Sequence, residues 1–230
     1  MRTERYDRRW RHDGQHLYPL PEEDVCQALG VPLSGRDEQQ GGPGIDDILA
    51  LLMGTSSAMK DREDLMRCLV FQWLPGITRV NAKHLSLLIA RGGSFRLAPF
   101  KHLLSACPGL SLRTTDRRDF QLGMGLTGPE GKQHHIDAIE SAHFLAPCGE
   151  RGVQSKAAMR QILAAFIPGL PAAIIKVRDS LPDDYPLTLA DAVFSHAMMM
   201  LKGSARRPEV NGLLVPGVRV LLQRQGFTAT

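Results

Sequence analysis

The stretch at residues 78–102, TRVNAKHLSLLIARGGSFRLAPFKH, constrains what this chain can fold into more than any other. An apolar helical run ends just before it at Trp73, Leu74 and Pro75. A short polar loop, residues 78–84, leads into an apolar run at 85–90, and Gly92-Gly93 separates that run from a second short one at 94–97. Two strand-like runs either side of a Gly-Gly pair predict a β-hairpin, because paired glycines accept the positive φ that tight hairpin turns demand. The hairpin would hold two loops, 78–84 and 99–102, side by side on a rigid frame, a natural place to build a site.

The flanking sequence is mostly helical. Residues 1–20 are basic and aromatic and predict a pair of edge strands with a polar turn at 12–15. Residues 22–28 read as one short helix within a loop region that ends in Gly41-Gly42-Pro43-Gly44. Ile45, Ile48, Leu49 and Leu52 recur at helical spacing. The next helix is expected to start at Asp61 as N-cap, to bury Met66, Leu69, Val70, Trp73 and Leu74, and to stop at Pro75. Residues 100–107 form a short apolar stretch expected to end at Pro108-Gly109. Further on, Met159, Ile162, Leu163 and Phe166 mark a helix that Pro168-Gly169 should end, with Pro171 opening a second helix at 172–180. Thr188 with Asp191 reads as a capping box before a helix at 189–201, whose Met198-Met199-Met200 run reads as core filling.

Two patterns suggest chemistry and are better explained otherwise. Residues 123–128, Gly-Met-Gly-Leu-Thr-Gly, match G-x-G-x-x-G, but no repeating strand–helix pattern surrounds them. They read as loop glycines rather than a dinucleotide site. His134-His135 and His143 are read as surface or core-edge histidines; adjacent side chains on a helix point in different directions.

Composition bounds the rest. At 230 residues and 43% hydrophobic, the chain can bury a core in one or two domains. A net charge of +4 allows phosphate or nucleic-acid partners without arguing for them. Cys26, Cys68, Cys107 and Cys148 are too widely spaced for a zinc site and read as reduced, buried thiols. The charged N-terminus lacks an apolar signal core, and no apolar run approaches the roughly 20 residues that span a bilayer, so a cytoplasmic protein with no membrane partner is expected.

The hairpin and its loops resemble the catalytic core of the HipA family of serine/threonine kinases, the toxins of bacterial toxin–antitoxin pairs. That family carries T-D-x-H-x-K-N before the hairpin and P-F-x-D after it. Here the matching residues are Thr78, Arg79, Asn81, Lys83 and His84, then Pro99, Phe100 and His102. The likeness extends from about Glu4 to about Leu201 through Arg5-Tyr6-Asp7-Arg8, Gly41-Gly42-Pro43-Gly44, Phe71-Gln72-Trp73-Leu74, Gly92-Gly93-Ser94 and His143-Phe144-Leu145-Ala146. It implies a mainly α fold with a small β-hairpin, the C-terminal lobe of a protein-kinase-like molecule. Residues 1–201 would form that lobe, with 1–20 as the hinge segment, and 202–230 a divergent basic tail. Only Met1, Arg2 and Thr3 precede the hinge match, so the N-terminal lobe is expected to be lacking.

The resemblance also implies site residues. Glu4, Tyr6 and Asp7 match the hinge positions that hold adenine and ribose. Arg79 stands where the family has its aspartate base, and His84 and His102 stand where it has its two metal ligands. ATP and Mg²⁺ are the family's cofactors, a protein its substrate, and a helix-turn-helix antitoxin its partner. A guanidinium cannot serve as the carboxylate base, and imidazoles suit hard Mg²⁺ poorly. Residues 77–106 contain no Asp or Glu to replace them. The expectation is an inactive kinase remnant that needs no cofactor and binds no metal. Two alternatives remain open. One is a kinase half completed by a separately encoded N-terminal lobe. The other is a metal-independent module that binds anions or nucleic acid where Arg79, Lys83, Lys101, His84 and His102 converge, although direct nucleic-acid binding is not favoured. A third use of His84 and His102, as ligands for a softer metal, is the least supported by sequence.

Overall fold

The structure, a computed structural model, describes residues 5–128, 130–146, 148 and 155–205. The chain divides into two compact units, residues 1–65 with 80–103, and residues 66–79 with 104–230.

The first unit begins with an antiparallel ribbon of β1 (Arg8–Trp10) and β2 (Leu17–Pro19), the edge pair expected from the sequence. Next come β3 (Glu22–Asp24) and α1 (Val25–Ala28). Residues 22–28, read from sequence as one helix, therefore split. Glu22-Glu23-Asp24 adds a strand to the hairpin, and Asp24 then caps α1, accepting from the Gln27 N–H at 3.0 Å. Helix α2 (Ile45–Leu51) buries Ile45, Ile48 and Leu49 as its spacing predicts, and its open N-terminus is closed by Asp47, whose carboxylate accepts from the Gly44 N–H at 2.9 Å.

Helix α3 (Ala58–Trp73) gives its first half to this unit. It starts one turn before the expected Asp61 cap. Asp61 is buried inside that first turn and accepts a hydrogen bond from the Leu97 N–H at 3.1 Å, so the carboxylate that looked like a cap anchors a strand. The predicted hairpin is present as β4 (Ser86–Ile89) and β5 (Phe95–Leu97), turned at Gly92 and Gly93 with φ of 88° and 81°. The sheet order β3-β4-β5 puts β4 in the centre, which explains its unbroken apolar run.

In the second unit, the later half of α3 buries Met66, Leu69, Val70, Trp73 and Leu74. Pro108, expected to end an apolar stretch, instead sits in the first turn of α4 (Cys107–Ser111). The G-x-G-x-x-G segment is not a loop. It lies in β6 (Gln121–Gly128), paired with β7 (Gly131–His135), and buries Leu122, Met124 and Leu126 in alternation. Its glycines make room for imidazole rings: a Cβ on Gly125 would sit 2.7 Å from His134, and one on Gly128 2.6 Å from His143. His134 and His135 are thus strand residues, not helical ones, and each has a ring nitrogen on a backbone carbonyl, Leu122 and Arg117 respectively.

Helices α5 (Ser141–Leu145), α6 (Lys156–Asp179) and α7 (Leu187–Ala205) complete this unit, with α6 packed on α5 and α7. Helix α6 runs through Pro168 and Pro171, where the sequence predicted a break; each proline removes one backbone donor, and buried Ile162, Leu163 and Pro171 hold the helix in place. Because it is continuous, α6 is long and apolar enough by length and composition to cross a bilayer, contrary to the expectation that no segment reaches that length. A core helix passes the same test, and Met159, Ile162 and Leu163 are fully buried here. Helix α7 starts at Leu187, so Thr188 is inside the helix rather than its cap, and Asp191 pairs instead with Arg178. Met198 and Met200 are buried as expected, but Met199 is exposed. All four cysteines are free and buried, and burial pushes the Cys68 thiol up to about 11. The tail at 206–230 lies outside the described residues.

Candidate active site

The two loops flanking the β4–β5 hairpin meet in the first unit. The loop before β4 forms a 3₁₀ turn, Ala82–His84, capped by Asn81. Asn81 is buried and fully engaged. Its Nδ2 donates to Asp37 at 2.5 Å, and its Oδ1 accepts from the Lys83 N–H at 3.1 Å and faces His84 Nδ1 at 2.8 Å. Asp37 reaches it because the Gly41-Gly42 pair lets the preceding loop fold back tightly. Gly41 has φ of 89°, and a Cβ on Gly42 would lie 2.3 Å from the Gly35 carbonyl oxygen.

The loop after β5 carries Lys101 and His102. The rings of His84 and His102 lie 6.1 Å apart between centroids, inclined at 68°. Burial holds the His84 imidazole below its usual range, and the neighbouring His102 adds to that. His102 is exposed and has φ of 59°, and Arg79, exposed at the end of the second unit, has φ of 64°. Only Arg113 among the other described non-glycine residues shares this left-handed backbone, which side chains with a Cβ adopt at a cost. Two of the three positions named by resemblance as catalytic therefore keep a strained backbone.

Two of the cations in the electropositive cluster weighed as an alternative are already paired. Lys83 pairs with Asp24 at 2.5 Å, and Lys101 pairs with Glu22 at 2.5 Å. Tyr6 donates to the same Glu22 at 3.1 Å, and Lys101 lies over the Tyr6 ring. Burial pushes the Glu22 carboxyl up, but its polar neighbours, Lys101 foremost, outweigh it and leave the group below its usual range. Carboxylates that residues 77–106 lack are thus brought in by β3 and by the loop holding Asp37. Sequence reasoning missed Glu22, Asp24 and Asp37. The one available signal was an acidic run, residues 22–24, in a chain whose hairpin loops carry unpaired lysines.

The hinge positions are also occupied. Asp7 is gripped by Arg5 through two bonds at 2.8 and 2.6 Å and by Arg8 at 2.9 Å; the Arg5 guanidinium holds its carboxyl at about 2. Tyr6 is turned toward Glu22, and Glu4 lies outside the described residues.

A kinase site needs oxygen ligands for Mg²⁺ and a carboxylate at the base position. The imidazoles of His84 and His102 offer nitrogen. Glu22 and Asp24 are each neutralised by a lysine, and Asp37 is held by Asn81 and by Arg36 at 3.7 Å. These residues do not fit a hard hydrated ion.

Comparison with known proteins gives the wider context. The family model described as HipA-like C-terminal domain matches residues 1–184. A protein of Sinorhizobium fredii named "Putative kinase Y4mE" is 36% identical over 112 residues, which is 47% of this chain and 26% of that protein. In the solved complex of the Shewanella oneidensis MR-1 toxin–antitoxin system HipA, HipB and its operator DNA, one chain superposes with a TM-score of 0.72 at 18% identity, covering 87% of this chain and 47% of that one. The second likeness shows a shared fold. The chain spans about a quarter of the first relative and about half of the second. With most of its length matched in one continuous block by the family model, this chain belongs to the HipA-like C-terminal domain family.

Proposed function

We propose that this chain is the C-terminal, kinase-lobe portion of a HipA-type serine/threonine protein kinase from a toxin–antitoxin pair, and that its catalytic corner no longer transfers phosphate. One observation carries the reading: the positions matching the family's metal ligands are two facing imidazoles, His84 and His102, while the lysines beside them are already paired with Asp24 and Glu22. Arg79 at the base position accepts no proton from an attacking hydroxyl. Without base or hard-ion ligands, the positioning and charge neutralisation that phosphoryl transfer requires are missing. The partner that fits is a DNA-binding antitoxin of the helix-turn-helix type; support comes from the Shewanella HipA, whose solved complex contains HipB and operator DNA. Incubation with labelled ATP, Mg²⁺ and Mn²⁺ tests the activity claim: no label should enter protein above an unfolded control, and label above it overturns the proposal.

A second reading keeps the enzyme. Glu22, Asp24 and Asp37 bring carboxylates to this corner, and a further lobe on another polypeptide would supply the phosphate grip. Protein isolated from its native cells together with its bound partners would then phosphorylate where the isolated chain does not.

A further inference from the structure

Arg62 lies in the first half of α3 and is only 3% exposed, so its guanidinium is taken out of water. Its Nε and Nη2 are buried with no hydrogen-bond partner among the described residues. Its Nη1 meets Met53 Sδ, and a thioether is a weak acceptor. No described carboxylate offsets the charge: burial alone lowers the Arg62 guanidinium from its usual value. Its own helix supplies none, because the residues one turn away, Ala58, Met59, Leu65 and Met66, are uncharged. The adjacent Asp61 is turned to β5, where it accepts from the Leu97 N–H at 3.1 Å. Holding a cation out of water without a counter-charge is costly, and buried charges in proteins are paired.

The orphaned edge has a defined chemistry. The Nε–H and one Nη2–H of a guanidinium lie parallel on one side, and that side matches two oxygens of a phosphate, sulfate or carboxylate. Both orphaned donors of Arg62 belong to this edge. The group over the guanidinium is a movable side chain. Met53 is 58% exposed and sits in the turn Leu52–Gly54. The backbone of that turn is tied down: the Thr55 hydroxyl donates to the Leu52 carbonyl at 3.0 Å, and the Ser56 N–H to the Phe95 carbonyl at 2.9 Å. An unbranched methionine with three rotatable bonds swings while such a turn stays in place. We infer that the Nε/Nη2 edge of Arg62 is a binding site for a small oxyanion, which enters where the Met53 side chain turns outward. The site uses none of Arg79, His84 and His102, and it stands whether or not the chain transfers phosphate.

Calorimetric titration and thermal unfolding of the full chain with inorganic phosphate, sulfate and acetate test it, against sodium chloride at equal ionic strength. At least one of the three binds the wild type at one per chain and raises its Tm, and the series shows whether a tetrahedral or a planar oxyanion is preferred. R62M removes the charge and loses both effects. R62K keeps the charge without the fork and binds at least about tenfold more weakly. M53A, with the cover shortened, binds at least as tightly as the wild type. R9A/R11A, which removes two exposed arginines of the β1–β2 ribbon, binds as the wild type does. A Tm rise equal in wild type and R62M, as an arginine that is merely hydrated would give, overturns the site. So does binding lost with R9A/R11A instead, binding undiminished in R62K, or no binding of any of the three anions. In chloride alone R62M is at least as stable as the wild type, because its unpaired charge is gone. Should R62M fail to fold, as circular dichroism would reveal, R62K carries the test alone.

Discussion

Replacing His102 by glycine should stabilise the protein relative to replacing it by alanine, the reverse of the usual order. His102 is exposed and has φ of 59°. A residue with a Cβ in this region costs roughly 1–2 kcal/mol. Glycine escapes that cost but gives up about 0.5–1 kcal/mol of extra freedom in the unfolded chain. Both variants lose the same imidazole and the same edge contact with His84, so those effects cancel in the comparison. The balance leaves H102G level with or ahead of H102A, by up to about 1.5 kcal/mol, or up to ~6 °C in Tm for a chain of this size. Met59, exposed in α3, supplies the contrast, since in a helix M59A should exceed M59G by about 1 kcal/mol. Thermal and urea unfolding followed by far-ultraviolet circular dichroism read both pairs. If alanine also wins at position 102, the backbone there is not strained.

Gly76 combines positive φ, 70°, with tight packing: an added Cβ would lie 2.6 Å from Cys107 Sγ and 2.8 Å from the Phe120 ring. G76A should cost about 2–5 kcal/mol, strain plus overpacking, while G14A, with φ of 66° and open space, should cost only about 1–2 kcal/mol; equal losses in urea unfolding would remove the packing part. His196 is edge-on to Phe120, its Nε2 is buried without a hydrogen-bond partner, and burial lowers its pKa, with Asp137 raising it and Arg117 lowering it less strongly. The unfolded chain therefore takes up a proton near 6.5 that the folded chain refuses. Stability is full above that pH and falls as the pH drops toward the folded value. Replacing His196 by leucine should reduce the loss as the pH falls below about 6.5, leaving the contributions from His84 and His143, whose values burial also lowers; an unchanged slope would show that His196 is not a source of it.

Features fixed by neighbours in sequence were the readable ones. The hairpin announced itself through Gly92-Gly93 between apolar runs, and α2 through Ile45, Ile48, Leu49 and Leu52. Features fixed by distant partners were not. Glu22-Glu23-Asp24 resembles a helix start until β4 offers it a ladder, and Asp61 resembles a cap until Leu97 presents its N–H. The alternation of Leu122, Met124 and Leu126 was present in the sequence, but the glycines in the segment suggested a loop; Gly125 and Gly128 instead admit the His134 and His143 rings. The same holds at the site. His84 and His102 could be paired from the hairpin alone, whereas the carboxylates that neutralise Lys83 and Lys101 come from about 60 and 80 residues away. A charge count over the hairpin loops therefore overstated how positive this corner is.

Intact-mass spectrometry after prolonged incubation of the folded chain with ATP and Mg²⁺, in the presence and absence of a generic serine/threonine protein substrate, tests the central claim most directly. Neither the chain nor the substrate should gain the mass of a phosphoryl group, and EDTA should change nothing. A gain that requires folded protein and disappears with EDTA would mean that oxygen ligands and a base are available after all, and the proposal that the chain no longer transfers phosphate would be wrong.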